Sequence, residues 1–244
     1  ARTDLDPTVR LKAIREDWAL TADQHRLLVS MPAANAVAVI DTDNWKVVAD
    51  VPAGTAPARL ALHPEERFLW VAGAGTGPAT ARAVTVIDVT KNAVVGTVDA
   101  GAGPHRIAFS HDGALAFVTS EKAATVTVVD ARTLEKRAQV PVDASPVDVT
   151  WSPVGNAAYV VSERAGTISV IDGQSLTVTA RLALEPGVRS LRFAPVLAGG
   201  HGAHGGHGTT RTAARYGFAV NPARYQVTVI DATTNSILRT TEVA

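Results

Sequence analysis

Cysteine is absent from this 244-residue chain, methionine occurs once, and aromatic residues make up only 5%. The missing thiols exclude disulfides, thiolate-ligated zinc, iron–sulfur clusters, a cysteine nucleophile and the CxxCH attachment of c-type haem. A surplus of one charge is also lacking, since 23 Lys and Arg balance 23 Asp and Glu. With no net positive field to gather a polyanion, nucleic acid is not an expected partner. No apolar run approaches the ~18 residues of a membrane-crossing helix, so no membrane span is expected. GxSxG, HExxH and P-loop motifs are missing, and no catalytic triad is legible. The opening ARTDLDPTVR does not read as a signal peptide; the chain reads as cytoplasmic, or as a mature, processed or truncated form.

What is present is a repeat. One phrase returns five times: NAVAVID ending at Asp41, AVTVID at Asp88, TVTVVD at Asp130, TISVID at Asp172 and QVTVID at Asp231. Each copy is preceded by a second apolar segment, such as IAFSHDG from Ile107 or VTWSPVG from Val149, and by a short run such as LAFVTS or AAYVVS. The runs are short, rich in Val, Ile and Thr, and bounded by turn residues, which predicts four strands per unit. Four short strands every ~42 residues is the signature of a propeller blade. The expected fold is all-β: a β-propeller of four-stranded antiparallel blades. It forms a single domain over 1–244, with blades at about 15–52, 57–99, 104–142, 146–184 and 188–243. The repeated aspartates end third strands and are expected to close turns by accepting bonds from backbone N–H groups two or three residues on.

The stretches GAGPHRIAFSHDGALAFVTS and DASPVDVTWSPVGNAAYVVS (101–120, 143–162) resemble the YVTN family of β-propeller repeats, within the surface-layer and cytochrome d1-like superfamily. That resemblance implies a WD40-like ring, usually of seven blades, so five copies point to a chain that is incomplete or completed by another polypeptide; the alternative is a closed five-bladed ring with an extra N-terminal strand. It also implies export, hence a periplasmic or extracellular location. A non-catalytic scaffold or accessory subunit that engages another protein chain is the reading it favours. The alternative it leaves open is a haem d1-like or lactonase-like propeller with a ligand at the central channel mouth.

Two groups of residues are candidate sites. AGGHGAHGGHGT carries His201, His204 and His207 at i, i+3 and i+6, within an insertion over 196–215 that replaces the first hairpin turn of the fifth blade. Three imidazoles on glycine spacers suit copper, zinc or nickel, with His25 or His63 as possible fourth ligands. A partner-contact loop or an inert insertion fits the same letters. The second group enters the inner strands: Arg59, His105, Arg106, Asp148 and Arg189, expected to make a cationic sector at the channel mouth for an anion or an acidic partner. His105 has a second reading, bonding to a neighbouring blade's backbone. Trp45, Trp70 and Trp151 are expected in packing between blades.

Overall fold

The computed structural model describes residues 17–73, 82–194 and 215–243. The described residues form twenty strands and one short 3-10 turn, Pro32–Ala34. Among them no helix is long and apolar enough to cross a membrane.

The strands make five four-stranded antiparallel sheets, each in sequence order. Sheet 1 holds β1 (Trp18–Leu20), β2 (Arg26–Met31), β3 (Ala36–Asp41) and β4 (Lys46–Pro52). Sheet 2 holds β5 (Pro57–Leu62), β6 (Phe68–Gly73), β7 (Ala83–Asp88) and β8 (Ala93–Asp99). Sheet 3 holds β9 (Pro104–Phe109), β10 (Leu115–Ser120), β11 (Thr125–Asp130) and β12 (Lys136–Pro141). Sheet 4 holds β13 (Pro146–Trp151), β14 (Ala157–Ser162), β15 (Thr167–Asp172) and β16 (Val178–Ala183). Sheet 5 holds β17 (Ser190–Phe193), β18 (Tyr216–Asn221), β19 (Gln226–Asp231) and β20 (Ser236–Glu242). Each inner strand packs beside the next, β1 on β5, β5 on β9, β9 on β13 and β13 on β17. This is the arrangement of a β-propeller.

Sandwiching explains the sequence. A middle sheet is covered on both sides, so its second and third strands read as continuous apolar runs rather than alternating ones. Leu69 and Val71 of β6 face sheet 1, whereas Trp70 and Ala72 face sheet 3. In β14, Ala158 and Val160 face sheet 3, and Tyr159 and Val161 face sheet 5. Fourth strands lie at the rim and return to alternation, with only Val51, Val98, Val140 and Leu182 buried near their ends. Large aromatics fill the wedges: Trp70 stacks edge-on against Phe109 at 5.6 Å, and Phe117 lies 5.3 Å from Trp151.

The third-strand aspartates close turns in all five sheets. Asp41 accepts from Asp43 and Asn44, Asp88 from Thr90 and Lys91, Asp130 from Arg132 and Thr133, Asp172 from Gln174 and Ser175, and Asp231 from Thr233. Four residues after each aspartate the backbone turns left-handed, at Trp45, Asn92, Leu134, Leu176 and Asn235. Trp70 and Trp151 pack between sheets as expected; Trp45 does not. It occupies this left-handed turn position (φ 56°) and is 49% exposed.

Candidate functional site

The inner strand of each sheet has one hydrogen-bonded neighbour and one free edge toward the axis. A free edge leaves backbone donors and acceptors to be satisfied by side chains or water. Here neighbouring blades supply some of those partners. Asp17 Oδ2 accepts from the N–H of Leu60 in sheet 2 at 3.2 Å. Asp148 Oδ2 accepts from the N–H of Leu191 in sheet 5 at 3.0 Å. His105 Nδ1 donates to the carbonyl of Val147 in sheet 4 at 2.7 Å.

Asp17 and Asp148 occupy the same place in their repeats, as do Arg59, Arg106 and Ser190. Together these residues make a ring of charge at the inner-strand entrance. Arg106 Nη1 reaches Asp17 at 3.2 Å, and its Nε lies 3.9 Å from Asp148. Arg192 Nη1 donates to Asp148 at 2.6 Å. The Asp148 carboxylate is 2% exposed, which is sustainable because each of its oxygens faces a cation or an N–H. Three of the ring's charges, Asp17, Arg106 and Asp148, therefore belong with Arg192 to one network that reaches from sheet 1 to sheet 5.

That network places the predicted site residues. Arg106 and Asp148 are engaged with protein partners. Arg189 stands one residue before the ring position, so its side chain points elsewhere and pairs with Glu163 at 2.6 Å. Arg59 and His105 remain at an open cleft of ≈170 Å³ between sheets 2 and 3, lined also by Gly103, Pro104, Glu121 and Lys122. The Arg59 Nε is buried and has no hydrogen-bond partner among the described residues. Burial pushes the His105 pKa down, and the positive charge of Arg59 pushes it further the same way. His105 is thus neutral at pH 7, with Nδ1–H committed to the Val147 carbonyl and an Nε2 lone pair left over.

The metal expectation is placed less fully. His201, His204 and His207 lie outside the described residues, as does all of the 196–215 insertion except Arg215. His63 is buried between sheets 2 and 3, where Nε2 donates to the Gly113 carbonyl at 2.8 Å and Nδ1 accepts from Glu65. Exposed His25 sits 3.1 Å from Asp43. Among the described residues no three His, Asp or Glu side chains gather as a metal site. Sequence reasoning missed Asp17 and Arg192. Aligning the repeats on their inner strands would have found Asp17, which falls where Asp148 falls; Arg192 carries no such signal.

Comparison with known proteins agrees with the architecture. A search of the curated proteins gives no match. Among solved structures, Kuenenia stuttgartiensis hydrazine synthase is 16% identical over 93% of this chain and 86% of its own, with a TM-score of 0.63. Dihydro-heme d1 dehydrogenase NirN, in complex with DHE, is 18% identical with a TM-score of 0.71; the match covers 93% of this chain but only 45% of that one. A functionally unknown protein from Desulfotomaculum acetoxidans DSM 771 is 16% identical over 92% of this chain and 69% of its own, at a TM-score of 0.73. At such identities these likenesses are of fold. The family model described as "Cytochrome D1 heme domain" matches residues 14–156, more than half of the sequence, and the chain belongs to that family.

Proposed function

We propose that the chain is a non-catalytic propeller domain, exported to the periplasm or cell exterior. In this reading its inner-strand mouth holds a carboxylate of a partner protein in the cleft between sheets 2 and 3. The observation that carries this is Arg59: a guanidinium with a buried, unpartnered Nε beside His105 and Lys122. A buried donor without a partner costs roughly 1–3 kcal/mol, which an incoming carboxylate would recover. Such a group also matches the guanidinium fork. Glu121, on the same cleft wall, accepts from Ser145 and leaves Arg59 to the ligand.

The family implies a haem d1, and the described residues do not fit it. The cleft of ≈170 Å³ is smaller than the ~300–1,000 Å³ typical of sites for larger ligands. His105 is the one described histidine at this mouth. His25, His63 and His111 belong to hairpin turns at the other ends of the strands. No axial pair is assembled among the described residues, and no haem chemistry enters the reading. The His201, His204 and His207 triad stays a proposed copper, zinc or nickel site on its sequence alone.

The test is a titration with succinate, followed by NMR of the His105 ring. A bound carboxylate opposes the effect of Arg59, so the His105 titration midpoint climbs on binding. Arg59→Gln should abolish the effect. If that variant binds succinate as the unaltered chain does, the cleft is not the site.

A further inference from the structure

The seam between sheets 4 and 5 is filled differently from those before it. One cross-strand row on each sheet faces the sheet that precedes it. The row reads Leu60, Val71, Thr85, Thr97 in sheet 2 and Ile107, Val118, Thr127, Gln139 in sheet 3. It reads Val149, Val160, Ser169, Arg181 in sheet 4 and Leu191, Ala219, Thr228, Thr240 in sheet 5. A long side chain closes the rim end of the row in sheets 3 and 4. Gln139 Nε2 donates to Thr125 at 3.3 Å, and Arg181 Nε lies 3.5 Å from Asp143. Sheet 2 also ends on threonine, but the chain closes in there, where a Cβ on Gly54 would stand 3.3 Å from Thr85 Oγ1. In sheet 5 the second-strand valine has become alanine and the rim residue is short. A cavity of ≈410 Å³ lies in this seam.

One side of the cavity is aliphatic, formed by Leu184, Val188 and Ile237, and the other is polar. Asn221 lines the polar side and is 5% exposed. Its Nδ2 donates to the Glu185 and Pro186 carbonyls at 3.3 and 3.1 Å, which fixes the amide's orientation. Its Oδ1 is buried and has no hydrogen-bond partner among the described residues. Two earlier seams carry serine at this position: Ser120 and Ser162 donate to the carbonyls of Ala100 and Asp143 and leave no amide oxygen over. Thr228 Oγ1 lies 2.9 Å from Thr240 Oγ1. One hydrogen between two hydroxyl oxygens leaves the other free to donate. The matching Thr127 spends its hydrogen on the Ala100 carbonyl.

We infer that this seam binds a neutral polyhydroxylated ligand of monosaccharide size, a pyranose. No Lys or Arg lines the cavity, so an anion would find no counter-charge. Glu185, its one carboxylate, is paired with Arg224 at 3.3 Å, so no ammonium is called for. What the walls lack is a donor for Asn221 Oδ1 and an acceptor for a threonine O–H. A hydroxyl is both at once. A ring that carries several, with an aliphatic C–H face, matches the polar and aliphatic sides together. The volume falls within the ~300–1,000 Å³ usual for small-ligand sites. Both walls are sheets of this chain, so the cavity owes nothing to the side of sheet 5 that faces away from sheet 4. It is separate from the Arg59 cleft and stands without it.

Saturation-transfer NMR on the whole chain with D-glucose, D-galactose and D-mannose in turn tests the inference, with acetate and ethylammonium as charged controls. At least one sugar should show transfer, and neither ion should. Thr240→Arg gives sheet 5 the arginine of sheet 4, whose partner Asp143 aligns with Glu185. It should remove the transfer while Tm holds or rises. Asn221→Ser installs the residue of the earlier seams and keeps a donor for the Glu185 carbonyl. It should weaken the sugar about fivefold, the worth of one hydrogen bond. Matching circular dichroism spectra would show that both variants fold. Transfer from none of the sugars, which leaves the cavity to water, overturns the inference. So does transfer from either ion as strong as from a sugar, or an unchanged sugar affinity in Thr240→Arg or Asn221→Ser.

Discussion

Replacing Asp148 with alanine should loosen the seam between sheets 4 and 5. The carboxylate is 2% exposed and accepts from the Leu191 N–H at 3.0 Å and from Arg192 at 2.6 Å. Alanine would leave that N–H without its acceptor, at roughly 1–3 kcal/mol. The lost ion pairs add less than the ~3–5 kcal/mol of a fully buried pair, because water reaches both cations. The Arg192 side chain is 59% exposed and that of Arg106 32%. Together the loss should be about 2–4 kcal/mol, which at ~2–4 °C per kcal/mol for a chain of this size lowers Tm by roughly 4–16 °C. Asp148→Asn keeps an oxygen for the Leu191 N–H and should lose about half as much. Hydrogen exchange separates the contributions: the Leu191 amide should exchange faster in the alanine variant and stay protected in the asparagine variant. A Tm within about 2 °C of the unaltered chain, or unchanged Leu191 protection in Asp148→Ala, would refute the clamp.

Burial raises the Asp88 pKa, but the Thr90 hydroxyl, Arg67 and the N–H groups of Thr90 and Lys91 outweigh it and hold the carboxyl at about 2. Because the folded value is depressed, Asp88 contributes stability above about pH 3.8 that disappears as pH falls toward about 2. Asp88→Asn should flatten that part of an acid-denaturation curve; an unchanged curve counts against the turn. Gly96→Ala would set a Cβ 2.6 Å from Leu134 Cδ1 and should cost roughly 1–3 kcal/mol in urea unfolding. A second change, Leu134→Ala, should remove most of that penalty, giving a coupling of opposite sign to the single losses. Copper(II) titration of the whole chain should lose its tightest site in the His201, His204, His207→Ala triple variant; equal affinity in both would reject the loop as the ligand set.

The fold was legible because it is periodic. Five aspartates at matching positions mark five third strands, and the turn each would close is present in every sheet. The site was legible only in part, because direction alternates along a strand. Arg59, Arg106 and Asp148 sit at one parity and enter the ring, while Arg189, one residue out of step, leaves it for Glu163. His105 shares the parity of Arg189 yet reaches a neighbouring carbonyl, as one of its two sequence readings proposed. Trp45 misled for another reason. Its position in the repeat demands a left-handed backbone, and side-chain size carries no information about that.

Stacked repeats ordinarily communicate only with the unit on either side, so damage stays local and unfolding can creep along the array. The bond from Arg106 to Asp17 skips over sheet 2 and joins units that are not neighbours. Sheet 1 cannot peel away without stripping a cation in sheet 3 of the nearer of its two carboxylates. The first three blades should therefore melt together, as one cooperative block, before any partner is bound.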